Sequence, residues 1–205
     1  MNLVIETQYF APSILFKHLY KHTHVVFDQY ENFQKTGFRN RCRVAGADGS
    51  ILLSVPLLGG RDQKKLTKDI LIDNRSLWQE QHWKTIVSCY NRSPWFEFYR
   101  DELNEIYTRP FDLLMDWNLV CFRWAIYKLE LNVAVSLSDM WHKEYNSENW
   151  VDWRDKLSQE SIHVNFPEAP VYTQVFGDRT GFIPHLSILD LLFCEGKNAG
   201  VILKS

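Results

Sequence analysis

The chain has 205 residues, of which 45% are apolar, and a formal net charge of −2 at pH 7. This length allows one large domain or two small ones, and the charge argues against a general nucleic-acid-binding protein, whose surface is normally strongly basic. The sequence predicts no membrane span and no signal peptide, because no apolar run approaches roughly 18 residues and the start, MNLVIETQYF, lacks a basic region.

Short strands and one helix are predicted in the N-terminal third. Residues 3–5 and 24–28 are short apolar runs that are typical of strands, and residues 12–20 carry apolar side chains at helical spacing. Side chains alternate on both sides of a glycine-containing turn within residues 38–55, which predicts a β-hairpin.

The next segment leads from a loop into a helix. Residues 59–65 are rich in glycine and basic side chains, which predicts a mobile loop, and residues 68–73 predict another short strand. Ser76 and Gln79 have the spacing of a capping box, so a helix is expected to begin with Ser76 as its N-cap.

Further helices follow in the second half. Pro94 and Pro110 each predict a helix start, the second helix running to about residue 131, while the polar residues 146–168 predict a long ordered loop. Ser187 is the predicted N-cap of a last helix, and Gly196 stands where a helix-terminating glycine belongs. The whole chain therefore predicts a single α+β domain, with a small mixed β-sheet of N-terminal strands and a hairpin packed against several helices.

The first half of the hairpin carries a basic pattern. Three arginines, Arg39, Arg41 and Arg43, occupy alternate positions, so a regular strand places them on one face. This face is either solvated or, within a cleft, suited to hold a phosphate or carboxylate, with Lys35 adding a point charge. Asn40 faces away into the fold, unless a bulge turns it towards the arginines.

Two polar residues on predicted helices are further candidates. His82 lies at the margin of a buried stripe and has the unperturbed pKa of a general base, or it is a core-edge histidine bonded to a backbone carbonyl. Asn118 interrupts an apolar stripe, and its amide must either pair with another element or reach a ligand.

The sequence lacks the motifs of several common metal-binding, nucleotide-binding and cysteine-based sites. The sequence contains no HExxH and no Cys-His zinc spacing, so no metal site is predicted. It contains neither GxGxxG nor a P-loop, and no cofactor is predicted. The four cysteines form no CxxC pair, which predicts free thiols in a reduced, cytoplasmic compartment, with Cys42 as a core thiol.

An ordered set of segments along nearly the whole chain resembles the WbqC-like protein family. The segments are YFAPSILFKHL, FQKTGFRNR, SVPL, KDILID, LWQEQHWKTIVSCYNRSPWFEFYRDEL and QVFGDRTGFIPHLSILDLLFCEG. The chain departs from the family pattern at His185 and Cys194, where asparagine is usual. Such proteins occur in gene clusters for O-antigen and other surface polysaccharides, and the resemblance implies glycine transfer or related acyl transfer.

The first hypothesis that this resemblance favours is a cytoplasmic transferase acting on an anionic small molecule, such as a nucleotide sugar. His82 would be its base, and the basic loop of residues 59–65 would close over the ligand. The residues expected to bind the substrate are Lys35, Arg39, Asn40, Arg41, Tyr9, Phe10, Trp95 and Asn118.

The second hypothesis is a non-catalytic binding or scaffold protein of the same pathway. It would use the same pocket, or an aromatic surface, to hold a partner. Turnover that is lost in His82→Ala is expected of the transferase, whereas the binding protein would show association without turnover. Either hypothesis is compatible with a homo-oligomer.

Overall fold

The computed structural model describes residues 1–60, 62–145 and 148–205. Its strands are β1 (Asn2–Ile5), β2 (His24–Phe27), β3 (Arg41–Gly46), β4 (Gly49–Ser54), β5 (Ala134–Leu137) and β6 (Trp150–Asp152). Its helices are α1 (Ser13–Leu19), α2 (Trp78–Tyr90), α3 (Phe96–Thr108), α4 (Leu114–Lys128), α5 (Ile162–Asn165), α6 (Gly177–Thr180), α7 (Ile188–Glu195) and α8 (Ala199–Lys204).

The described strands form two sheets. β5, β2, β1 and β6 lie side by side in that order and are all parallel, whereas β3 and β4 form a separate antiparallel hairpin. The apolar run of β1 is fully buried, as expected of a parallel strand covered on both faces. Helices pack around both sheets, so the predicted α+β class is confirmed. No helix within the described residues is long and apolar enough to cross a membrane.

Two strands of the parallel sheet were not predicted from the sequence. β6 has three residues and lies in the segment predicted to be a loop, of which residues 146 and 147 are outside the described residues. β5 has four residues, and its partner β2 is more than a hundred positions earlier in the chain. Strands this short carry too little of an alternating pattern to be recognised without their partners.

The predicted start of the hairpin was wrong. β3 begins at Arg41, and the chain turns before it, so that Arg39 lies outside the strand. The turn is held by the amide of Asn40, which donates to the carbonyl of Val55, while the carbonyl of Phe38 accepts from the backbone of Tyr9. Arg39 therefore does not share a strand face with Arg41 and is almost fully buried.

Three other local predictions were also wrong. Residues 68–73 form no strand, because Thr67–Asp69 is a 3-10 turn and the next residues make only isolated bridges. α2 begins after Leu77 without a side-chain cap, since the Gln79 amide donates instead to the carbonyl of Arg109. α4 begins at Leu114, beyond the predicted Pro110, because the chain before it bridges to Leu71.

The terminal helix follows its prediction closely. The Ser187 hydroxyl accepts a hydrogen bond from the backbone of Leu189 at 3.2 Å, which caps the start of α7. Gly196 ends the helix with φ of 53°, a left-handed conformation that glycine adopts without a steric cost. A Cβ on Gly196 would lie 2.2 Å from the ring of Trp95.

We therefore expect Gly196→Ala to lower the free energy of unfolding by about 3 kcal/mol, because it combines left-handed strain with overlap against an indole ring. Urea denaturation measures this loss. Gly177→Ala is the matched control, since Gly177 has open space around its Cβ position and no positive φ. Equal stabilities of the two variants would contradict the packing argument.

Candidate functional site

Charged residues follow the carboxyl ends of three parallel strands. Glu6 comes directly after β1, Asp28 directly after β2, and Asp155 closely follows β6. The chain runs outward from β1 through β2 to β5 and then returns to the opposite side of β1 as β6. Ligands of open parallel sheets bind outside the carboxyl ends of the strands where the order reverses in this way, so this edge is where a site is expected.

One buried guanidinium organises this edge. Arg39 is 1% exposed, and its Nε and Nη2 donate to the two carboxylate oxygens of Glu31 at 2.7 and 2.8 Å. Nη2 also donates to Asp155 Oδ1 at 2.7 Å and lies 4.0 Å from Glu6 Oε2. Arg39 thus holds together the segments that follow β1, β2 and β6.

The three carboxylates have further donors. The hydroxyl of Thr67 donates to Glu31 Oε1 at 3.0 Å, and the amide of Gln8 donates to Glu6 Oε1 at 2.9 Å. The backbone N–H of Asp155 donates to Glu6 Oε2 at 3.1 Å. We call Arg39, Glu6, Glu31 and Asp155 the Arg39 cluster.

Burial shifts the acidity of this cluster. Burial raises the pKa of Glu31 to about 7, although Arg39 acts against this, and the nearby carboxylates add to the rise. Burial likewise raises the pKa of Glu6. Burial acts to lower the pKa of Arg39, but its carboxylate neighbours hold that pKa above its ordinary value. Arg39 therefore stays charged, and burial favours the protonated form of Glu31 more than it would be favoured in an exposed glutamate.

The ligating oxygens of Glu6, Glu31 and Asp155 lie within 4.8 Å of one another, a spacing that a metal ion would also accept. The guanidinium already supplies a positive charge among them, and a second cation there would be repelled. The donor set therefore fits an ion-pair network better than a metal centre.

A cavity of about 560 Å³ opens beside the Arg39 cluster. Glu31 and Asp155 lie in its wall, and the remaining lining comes from the last residue of β6 and from the segments that follow β2, β5 and β6. Asp155 has φ of 59°, a left-handed conformation that aspartate tolerates better than most residues, and its side chain is 57% exposed. The cluster thus presents one accessible carboxylate and one nearly buried carboxyl group to the cavity.

Arg154 fixes the wall that follows β5. Its Nη1 donates to Asp28 Oδ2 and to the carbonyl of His142, each at 2.8 Å, and its Nη2 donates to Asp152 Oδ2 at 2.6 Å. Its guanidinium also lies 5.1 Å from the ring centre of Tyr145. Arg154 thereby ties the segment that lines the cavity to the edge of the sheet.

The structure brings only part of the predicted site together. Asn118 donates to the carbonyl of Arg39 at 2.7 Å, so it supports the Arg39 cluster from the core, and Asn40 bonds within the hairpin. Lys35 pairs with Asp62 at 2.5 Å in an adjoining cavity of about 450 Å³. Arg41 lies on β3 opposite Ser54. The substrate-binding roles of these residues stay predictions.

His82 belongs to a different network. Its Nδ1 lies 3.0 Å from the hydroxyl of Tyr9, which is 2.6 Å from the hydroxyl of Tyr107, and its ring also bonds to the backbone of Ser54. Burial lowers the pKa of His82 to about 4, so the ring is neutral at pH 7 and weakly basic. None of these partners belongs to the Arg39 cluster, and the geometry corresponds to the core-edge alternative.

Two of the three aromatic candidates lie in the core, and the third is partly buried against it. Tyr9 and Phe10 are 0% and 1% exposed, so a ligand reaches neither ring unless the core opens. Trp95 packs against Gly196 and Phe98. Sequence reasoning missed Glu6, Glu31 and Asp155, although an acidic residue directly after a predicted strand, as Glu6 is, was a signal for the carboxyl edge.

We expect Arg39→Lys to destabilise the protein by about 3 kcal/mol, because a lysine cannot bond to Glu31 and Asp155 together and leaves buried carboxylates unpaired. Chemical denaturation at pH 7 measures this change. Arg100→Lys is the control, since Arg100 makes an exposed pair with Glu97 and its replacement should alter stability little. An Arg39→Lys variant as stable as the control would contradict the role of the cluster.

A second buried acid lies outside the cavity. Asp190 is 0% exposed, and its two oxygens accept hydrogen bonds from the hydroxyls of Tyr90 at 2.6 Å and Tyr172 at 2.7 Å. Burial raises its pKa from 3.8 to about 6, because the two phenols stabilise the carboxylate less than water would. Between pH 3.8 and about 6, Asp190 therefore keeps its proton in the native state, whereas the unfolded chain has already released it.

Since the native state binds more protons, the contribution of Asp190 to stability is full below its unfolded pKa and falls as pH rises through about 6. The expected loss is about 3 kcal/mol. In Asp190→Asn this slope should disappear. Denaturant midpoints of the two proteins at several pH values measure the difference, in which the titrations of other groups cancel. Parallel curves would contradict the prediction.

Comparison with known proteins places the chain in a family. The profile of the WbqC-like protein family matches residues 8–160 and 144–202. The uncharacterized protein Rv1507c of Mycobacterium tuberculosis (strain ATCC 25618 / H37Rv) is 26% identical over 201 residues, covering 85% of this chain and 84% of that relative. No solved structure matches significantly. Because the profile covers nearly the whole chain, including Glu31, Arg39 and Asp155, the protein belongs to the WbqC-like protein family.

Proposed function

We propose that the protein is a cytoplasmic transferase of O-antigen or other surface-polysaccharide biosynthesis. It transfers a small acyl group, such as glycyl, to an amino or hydroxyl group of a sugar precursor. The observation that carries this proposal is the Glu31 carboxyl group, whose pKa is about 7 and which lies in the wall of the cavity at the carboxyl edge of the sheet. A general base is most effective when its pKa lies near the working pH.

In the proposed reaction, Glu31 accepts one proton. The acceptor nitrogen attacks the carbonyl carbon of the donor, a C–N bond forms, and the bond from carbon to the leaving group breaks with its electron pair on the leaving group. The proton lost by the acceptor passes to Glu31. From the part of the chain that the structure describes, Oε2 accepts one hydrogen bond, from Arg39, and it has a second lone pair for this proton.

Arg39 acts here as a positioning residue rather than a catalytic one. It is buried behind Glu31 and fixes that carboxylate through two hydrogen bonds. In the adjoining cavity, Lys35 and Lys64 supply positive charge for a phosphate of the precursor. The ion pair of Lys35 with Asp62 is exposed and costs little to break.

The test is a transfer assay in which mass spectrometry detects the acylated sugar, with amino-sugar nucleotides as acceptors and glycyl or other acyl donors. We expect Glu31→Gln to lower the rate by about a hundredfold or more, because the amide cannot take a proton. The wild-type rate should rise as pH increases through about 7, since the base must be ionised.

Glu97→Gln removes an exposed carboxylate on α3 and is the matched control. Full activity in Glu31→Gln would eliminate Glu31 as the base, and loss of activity in His82→Ala without loss of stability would return that role to His82. The second candidate function is a non-catalytic binding protein of the same pathway. It is favoured by the engagement of both Glu31 oxygens by Arg39, and it predicts ligand binding with no acylated product.

A further inference from the structure

An exposed indole stands in the wall of the cavity. Trp141 follows β5 and is 55% exposed, although most tryptophans of this chain are packed among other rings. Among the described residues, no aromatic ring lies in contact with the Trp141 ring. A large apolar side chain left open beside a polar cavity is a ready surface for the apolar face of a ligand.

Several side chains in the wall of the same cavity are planar and polar. The amides of Asn32 and Gln34 lie in the same cavity wall, as does the half-exposed carboxylate of Asp155. Amides offer both donors and acceptors, whereas the carboxylate offers acceptors alone. A ring with one C–H face and hydroxyl groups around its edge matches this set, because the face stacks on the indole while the edge bonds to the amides and the carboxylate.

The charged groups of the cavity indicate which functional group the ligand carries. Asp155 Oδ1 accepts from Arg39, and the exposed remainder of the carboxylate faces water with no cation bonded to it among the described residues. Arg154 is already bonded to Asp28 and Asp152, and the other cationic side chains that line the cavity are Lys143 and Lys156. The exposed part of the Asp155 carboxylate is the acceptor in this wall to which an ammonium group on the ligand would bond more strongly than a neutral hydroxyl.

We infer that the cavity binds an amino sugar, with the pyranose ring stacked on Trp141 and its amino group on the carboxylate of Asp155. This rests on the proposed function in that it names the acceptor, but it concerns binding alone. The amino group would then lie in the same cavity wall as Glu31, the group that takes its proton during transfer.

The experiment is binding of the full chain to methyl glycosides of 2-, 3- and 4-amino pyranoses and of the matching neutral sugars. Saturation-transfer NMR identifies which sugar protons touch the protein, and titration gives the affinity. We expect at least one amino sugar to bind, with saturation concentrated on the C–H protons of one face. Trp141→Ala should weaken this binding about tenfold or more, and Trp141→Phe less than about threefold.

Two further variants separate the contacts. Asp155→Asn keeps a residue that tolerates the left-handed backbone, and it should remove the preference for amino over neutral sugars. Tyr127→Ala removes an exposed ring on α4 and should leave binding unchanged. Thermal unfolding of each variant shows that it is folded.

Absence of binding to every sugar of the panel would overturn the inference, and so would binding that Trp141→Ala leaves unaltered. An unchanged preference in Asp155→Asn would overturn the assignment of the amino group. Failure of the proposed function would give a different result. If an amino sugar binds in a Trp141-dependent way but no donor yields a product, the binding site is supported and the transferase function is contradicted.

Discussion

The charge of Arg39 in the protein interior is the constraint on which the carboxyl edge of the sheet depends. A guanidinium removed from water must be paired, and this one is paired by side chains that follow three different strands. The arrangement fixes the loops more than it adds stability, because the desolvation of these charges offsets much of their attraction. The strands themselves have only three or four residues each, so their loops need such a tie.

The same imbalance of charge raises the pKa values of the buried carboxyl groups. Three carboxyl groups surround one guanidinium, and the burial of Glu6 and Glu31 makes full ionisation unfavourable. Asp155 remains half exposed, so water solvates its carboxylate. The raised pKa of Glu31 is therefore a consequence of how the loops are held.

What the sequence could predict is set by the range of the interactions involved. α7 depends on a cap and a glycine within ten residues of each other, and the hairpin depends on a local turn, so both were predicted. β5 and β6 depend on partners far along the chain, and so does the pairing of Arg39 with Asp155, 116 positions away. The basic pattern singled out Arg39, but periodicity alone placed it on a strand face and did not indicate the carboxylates that surround it.

The segment that follows β1 joins the two buried networks of the protein. Glu6 belongs to the Arg39 cluster, whereas Tyr9, three residues later, bonds to His82. Between this segment and α1 the backbone turns at Phe10, whose φ of 39° is unfavourable for a side chain with a Cβ. The hydroxyl of Ser187 donates to the carbonyl of Phe10 at 2.7 Å, so the cap of the terminal helix also holds this strained turn.

This connection links the terminal helix to the segment that carries Glu6. Strain at Phe10 persists only while its neighbours over-determine the backbone, and one of those neighbours is the N-cap of α7. A loosened terminal helix would release the turn at Phe10. Glu6 would shift with this turn, because only residues 7–9 lie between Glu6 and Phe10. The position of Glu6 beside Arg39 is thus maintained from both ends of the chain, by the sheet on one side and by the last helices on the other.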